Sequence, residues 1–448
     1  MTSRRIFSLV AAVSALLLTT TLLQADAFGN PLATRNVLPN GIVLLHSEQR
    51  SLPLVTVRII FRAGSATEPA DRAGLASLTA RLLKEGTQER TATELAEAID
   101  TLGGRIGIGA SADTASGGIT VLRSDLEEGM RLLAEMILRP VFPEKELRRK
   151  VKETIGRIER SKQNPASQAR VAFRKALYGS HPYGRRVSGE VKTLRSITRE
   201  DVVRFHRDHY RPGGAIVAAV GDVSLREIRE LLDRIFAGWS GSPPRMPRLR
   251  DPSFPGKREV IKIQRRVAQA RVLFGHPGVR RDNPDYYAVR VMNYILGGGG
   301  FESRILSAIR EEKGLAYSAW SYFSVGLYGG SFQAGLGTKN DTANRALDAL
   351  FEQIRQIREK LVTEKELADA KAFLTGSFPL RLSGNRNIAS LLTTIEMYGL
   401  GLDYVEKFPR LIGSVTREDA LRVAKKYLHP DNGVLLVLAD NEKAKLRY

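Results

Sequence analysis

Apolar positions along the chain fall into two kinds of run. Short alternating or continuous stretches bounded by Gly, Pro and Asn predict strands; longer stretches with apolar residues three and four apart predict helices. Segments 41–48 and 54–64 read as strands, 73–85 and 93–102 as helices, and 105–123 as a glycine-rich hairpin. Helices follow over about 125–138 and 143–177. Beyond residue 256 the same alternation returns. Strands are expected at 258–264 and 270–277, helices at 284–296 and 302–312, strands at 316–325 and 330–337, and long helices over about 341–376 and 386–400. Hairpins mixed with clustered helices predict an α+β fold, with helices packed on one face of a mostly antiparallel sheet.

The two runs are copies of one plan. Residues 196–222 and 414–440 share the order Ser-x-Thr-Arg-Glu-Asp, an amphipathic helix, a proline turn and a buried strand, at a constant offset of 218 residues. Thr198 and Thr416 suit N-caps with Asp201 and Asp419 in the capping-box position, and Pro212 and Pro430 end the helices. A repeat of this length implies two homologous domains. Residues 241–256, rich in Pro, Gly and Ser and without periodicity, read as the linker. The expected units are therefore 30–240 and 257–448.

The N-terminus changes the picture. Arg4 and Arg5 precede an apolar run from Ile6 to Leu23, and Ala25-Asp26-Ala27 follows as a small-x-small cleavage site. This predicts a signal peptide over residues 1–27 and an exported, periplasmic protein. The alternative is an uncleaved anchor, since the run approaches the about 20 residues that cross a bilayer. The chain has no cysteine, which excludes disulfides, thiol catalysis and thiolate metal sites.

The net charge is +21. Its arginines are spread along helix faces, as in residues 147–160, and no aromatic-interleaved basic module is present. Most of this charge fits solvated helix faces; nucleic acid is not an expected partner, and the charge leaves an acidic partner or a membrane surface open.

Residues 61–74 and 74–87 carry a glycine-rich approach and then Gly-Leu-Ala-Ser-Leu-Thr-Ala-Arg-Leu-Leu-Lys-Glu-Gly-Thr. This resembles the signature helix of the insulinase/pitrilysin zinc peptidases, Gly-Leu-Ala-His-x-x-Glu-His leading to Lys-Gly-Thr. The catalytic letters depart from it. By that resemblance the two metal histidines fall on Ser77 and Arg81, the general-base glutamate on Ala80, and a third ligand on Arg157. A catalytic zinc needs about three protein ligands from His, Asp, Glu or Cys. A serine, an alanine and two permanent cations supply none of these. No zinc or other cofactor is expected in this chain, which is predicted to be inactive alone.

The second half keeps more. Residues 297–324 resemble that family's C-terminal segment: a glycine-rich loop, a helix ending in Arg-Glu, then Gly-Leu-Ala-Tyr. The resemblance implies that Arg310 and Tyr317 reach across to a zinc centre on another subunit, holding substrate backbone and stabilising an oxyanion. A guanidinium and a phenol aimed together suit that task. The glycine run is no phosphate loop, since no Gly-Lys-Ser/Thr follows it; it reads as a close-approach turn. His206 and His209 stand three apart, yet the duplicated helix has Ala424 and Tyr427 there, which favours packing over metal binding. The remaining histidines are isolated.

These readings predict a non-catalytic subunit of a heterodimeric zinc peptidase. Its partner would be a homologous chain bearing His-x-x-Glu-His, with the zinc, and its substrate an unfolded peptide. The alternative is a scaffold or peptide-binding protein of the same fold with no part in catalysis.

Overall fold

The computed structural model describes residues 32–448; the candidate signal peptide lies outside the described residues. Two mixed sheets organise the chain. The first is built from β1 (Thr34–Val37), β2 (Val43–Glu48), β3 (Leu54–Phe61), β4 (Arg105–Ala110), β5 (Ala115–Leu122) and β6 (Ile216–Gly221), in the order β1-β2-β6-β3-β5-β4. The second comprises β7 (Arg258–Gln264), β8 (Gln269–Pro277), β9 (Ala316–Gly326), β10 (Gly329–Lys339) and β11 (Gly433–Ala439), in the order β7-β11-β8-β10-β9. Each has one parallel pair, β2 with β6 and β7 with β11, and is otherwise antiparallel. Leaving β1 aside, the two topologies are identical, as the sequence repeat requires.

Helices of the first half are α1 (Leu75–Leu82), α2 (Ala92–Thr101), α3 (Leu126–Leu138), α4 (Glu144–Gln163), α5 (Pro165–Tyr178), α6 (Val191–Ser196), α7 (Arg199–His209) and α8 (Leu225–Ile235). The second half supplies α9 (Tyr286–Asn293), α10 (Ala343–Glu359), α11 (Glu364–Gly376), α12 (Asn385–Tyr398), α13 (Tyr404–Gly413) and α14 (Arg417–Tyr427). The capping boxes on Thr198 and Thr416 are both formed, at the starts of α7 and α14. The strands that follow, β6 and β11, are buried along their whole length, which suits continuous apolar runs with both faces covered.

That double coverage comes from an exchange of helices. One face of each sheet packs against helices of its own half. On the other face, Ile388, Ala389 and Leu392 of α12 cover Leu45, Ile60, Ile216 and Val220 of the first sheet. Reciprocally, Ala169, Phe173 and Leu177 of α5 cover Val434, Leu436 and Leu438 of the second. The expectation of helices on one face therefore holds for each half's own helices, and the opposite face belongs to a helix from the other half. A polar seam accompanies the exchange. The Tyr183 hydroxyl donates to Asp113 at 2.5 Å, and Asp113 also accepts from the Leu327 N–H at 3.3 Å.

Several expected helices differ in detail: 284–296 ends in a π-turn, Tyr294–Gly298, and 341–376 is two helices, α10 and α11. The run 143–177 is two helices, because Asn164 caps α5 by accepting from the Ser167 N–H and Pro165 occupies its first turn. The run 302–312 is a short α-turn, Arg304–Leu306, passing into a π-turn, Ser307–Glu311. Among the described residues no helix is long and apolar enough to cross a membrane.

Candidate functional site

Helix α1 is held by features independent of any metal. Leu75, Leu78 and Leu82 are buried in the first core. Gly74, at φ 103°, starts the helix without a side-chain cap of its own. Glu68 takes that role: its carboxylate accepts from the Gly74 N–H at 2.9 Å and the Ala76 N–H at 2.8 Å. An acid at a helix N-terminus is favoured by the dipole. Burial nonetheless pushes Glu68 up to about 7, against the pull of those N–H groups and of Arg185. Sequence reading passed over Glu68; an acidic residue just ahead of a glycine-started helix was its one signal.

Of the positions read as a lost metal site, Arg81 and Arg157 meet at one oxygen. Ala80 is fully buried. Arg81 donates to the Thr154 hydroxyl at 2.6 Å and to Glu153 at 3.3 Å, and Arg157 donates to the same Thr154 oxygen at 3.1 Å. Thr154, which the sequence reading did not single out, is thus the meeting point of two guanidiniums. Burial, and then the neighbouring Arg157, lowers the Arg81 pKa. The carboxylates around them are already engaged: Glu85 pairs with Arg149 and Lys150, Glu146 with Arg149, and Glu153 with Arg81 and Arg149. This donor set does not fit zinc. The nearby carboxylates are taken up by cations, and the α1 positions add only a hydroxyl, a methyl group and a guanidinium. Among the described residues no three His, Cys, Asp or Glu side chains are grouped to hold a metal ion.

The histidine pair on α7 serves packing. His206 Nε2 donates to the Ile137 carbonyl at 2.8 Å, and burial lowers its pKa to about 4. The His209 ring packs on Phe205 at 4.4 Å.

In the second half, Arg310 lies in the π-turn and Tyr317 is the second residue of β9. The connection between them is closed by bonds from the Gly314 N–H to the Arg310 carbonyl and from the Leu315 N–H to the Ile309 carbonyl. The Arg310 guanidinium sits 5.0 Å from the Tyr317 ring centre and 4.8 Å from that of Phe301. Both rings are exposed, Tyr317 at 81% and Phe301 at 64%. Such cation–π contacts orient a guanidinium while leaving its in-plane N–H donors for other partners. The glycine run seats this assembly. Gly297 lies so close to β9 that a Cβ there would stand 2.4 Å from the Ser321 hydroxyl. Arg304 adds a bidentate pair with Glu366 of α11 at 2.6 and 2.8 Å. One π-turn, Ser307–Glu311, carries Arg310 and a second, Tyr294–Gly298, precedes it, a local geometry frequent at functional sites.

Residues 43–190 match the insulinase (peptidase family M16) pattern, and residues 196–374 match the peptidase M16 inactive domain. The crystal structure of a peptidase M16 inactive domain from Pseudomonas fluorescens is 30% identical, spans 91% of this chain and 97% of that one, and superposes with a TM-score of 0.85. The chain belongs to the peptidase M16 family. Other M16 relatives differ in what their names claim. A protein of Helicobacter pylori named a non-peptidase homolog is 24% identical over 432 residues, covering 94% of this chain and 96% of its own length. One of Streptomyces coelicolor named an uncharacterized zinc protease is 27% identical over 422 residues, 92% of this chain and 91% of its own. The M16 fold is thus shared along nearly the whole described chain, and the residues at positions 77, 80 and 81 fit a non-catalytic member.

Proposed function

We propose that this chain is the non-catalytic subunit of an exported heterodimeric M16 peptidase. Its partner is a homologous chain with an intact His-x-x-Glu-His helix and the zinc, and its substrate is an unfolded peptide. Arg310 and Tyr317 are its contribution to catalysis: they bind substrate backbone and donate to the carbonyl oxygen as charge develops on it. The observation that carries this reading is the contrast between the two halves. One has cations where a metal would need ligands, and the other holds a half-buried Arg310 against the exposed ring of Tyr317. The names of the inactive-domain and non-peptidase relatives are in keeping with it.

The test is reconstitution. The purified chain is mixed with a His-x-x-Glu-His homologue, and hydrolysis of an unstructured peptide is followed. Removing one oxyanion donor typically costs about 10²–10³ in kcat. Arg310→Ala and Tyr317→Phe are each expected to lower kcat by that order without changing complex formation. Full activity in both variants removes the assigned role. An unchanged oligomer mass with and without the partner favours a scaffold or peptide-binding protein instead.

A further inference from the structure

The net charge of +21 has no part in that chemistry, and one groove gives some of it a use. Helix α5, contributed by the first half, and strands β8, β10 and β9 of the second enclose a groove of about 490 Å³. Arg170 of α5 and Arg271 of β8 line it, and no Asp or Glu does. Nothing within the groove therefore neutralises its two guanidiniums.

The remaining wall is built for contact. Trp320 and Tyr322 of β9 stack with ring centres 5.1 Å apart and an interplanar angle of 16°. Trp320 faces Gly335 across the β9–β10 ladder, and a Cβ at Gly335 would stand 2.6 Å from the indole. A Cβ at Gly337 would likewise stand 2.7 Å from the Arg271 guanidinium. Two glycines thus let an aromatic ring and a cation lie flat along the sheet. Gln333 is fixed at the rim by the Tyr322 hydroxyl at 2.8 Å and by its own bond to Ser331 at 2.9 Å.

The groove is continuous with the free edge of the second sheet, since β9 is the outermost strand and carries Tyr317 at its start. An extended chain against that edge directs every second side chain to the groove face. The counterpart groove of the first half, beneath α12, differs: Asp100 lies among its arginines Arg58, Arg105 and Arg386.

We propose that the α5 groove receives an acidic stretch of an extended peptide. Its carboxylates are held by Arg170 and Arg271, and an apolar or aromatic neighbour rests on Trp320 and Tyr322. The inference names the kind of peptide for the function proposed above and rests on that reading only for the peptide's fate. Binding itself belongs to this chain alone.

The chain has two tryptophans, Trp239 and Trp320, so a Trp239→Phe background makes Trp320 the reporter. The probes are an acetylated ten-residue peptide alternating Glu with Phe or Leu and its Lys counterpart, without any partner subunit. Fluorescein anisotropy on the wild-type chain gives the same constants independently of that background. The Glu peptide is expected to shift Trp320 emission and to bind at least tenfold tighter than the Lys peptide in low salt. The difference should shrink in 0.5 M NaCl, where the Debye length falls below about 5 Å. The Arg170→Gln/Arg271→Gln double variant, with unchanged circular dichroism and melting temperature, should lose at least tenfold in affinity. Equal affinity for both peptides, or a double variant that binds as well as wild type, overturns the proposal. So does Trp320 quenching by maltoheptaose with no response to the Glu peptide, which would make the wall a sugar platform. Failure to stimulate a partner peptidase, with selective Glu-peptide binding intact, would sink only the subunit assignment.

Discussion

With the family's zinc letters restored to α1, zinc should bind more weakly while Arg157 remains than after it is removed. Ser77→His, Ala80→Glu and Arg81→His would give two imidazoles and a base on one helical face. Arg157 would remain. Its guanidinium and that of Arg81 both bond to the Thr154 hydroxyl, at 3.1 and 2.6 Å, so the two donor nitrogens lie within about 6 Å of each other. A dication bound where Arg81 now ends would face a unit positive charge at roughly that distance. Coulomb's law with an effective dielectric of about 20 gives a repulsion of about 5 kcal/mol. Arg157 is exposed, and screening by water reduces this to roughly half. The resulting loss of zinc affinity is about 10²-fold. The assay is zinc calorimetry, with cobalt absorption reporting tetrahedral ligation, on the triple variant with and without Arg157→Gln. Equal zinc affinity in the two would refute the electrostatic argument. Stoichiometric zinc in the isolated wild-type chain, with unaided peptide hydrolysis, would refute the lost-site reading altogether.

Two further outcomes follow from the packing and from the buried acid. Phe173 of α5 is almost fully buried against β11, and its ring tip lies 2.9 Å from where a Cβ at Gly275 would sit. Phe173→Ala should cost about 3–5 kcal/mol. It should also loosen the halves, seen as a lower melting temperature and faster tryptic cleavage within 240–257; unchanged cleavage would deny the exchanged helix its clamping role. Glu68 has its folded pKa raised from 4.5 to about 7. Between those values the folded state binds the proton that the unfolded state has released, so its contribution to stability falls as pH rises from about 4.5 through about 7. Glu68→Gln should flatten the decline of melting temperature across that window even though it weakens the cap; parallel slopes would contradict the assignment.

Much of this architecture was legible because it is local. Capping boxes at Thr198 and Thr416 are written in adjacent residues, and the strands after them need only an apolar run. The 218-residue offset then told that the plan occurs twice. The exchange of α5 and α12 was not legible, because periodicity shows that a helix has an apolar face and says nothing of which sheet covers it. The break at Asn164 was read through, although Asn-Pro is a start signal for a new helix, because the amphipathic pattern continues across it. The family resemblance pointed to Arg81 and Arg157 together, and the two guanidiniums do meet at one oxygen. Thr154, their shared acceptor, is an ordinary helical threonine with no sequence mark.

The two sites also differ in what folding demands of them. Helix α1 forms through Leu75, Leu78, Leu82 and the Glu68 cap, and none of these is a metal position. The fold can therefore tolerate Ser, Ala and Arg where ligands would stand, with Arg81 absorbed into an ion-pair cluster through Glu153 and Arg157 bonded to Thr154. Tyr317 and Phe301 are the reverse case. Two large rings are left exposed around a guanidinium, where they contribute little burial. The surrounding structure still spends constraint on them: two π-turns, a glycine run pressed against Ser321, and the Arg304–Glu366 pair all fix the ends of that segment. Constraint placed around exposed rings that add little burial is best accounted for by something outside the chain that they contact, and this is the physical support for the role proposed for Arg310 and Tyr317 over one for α1.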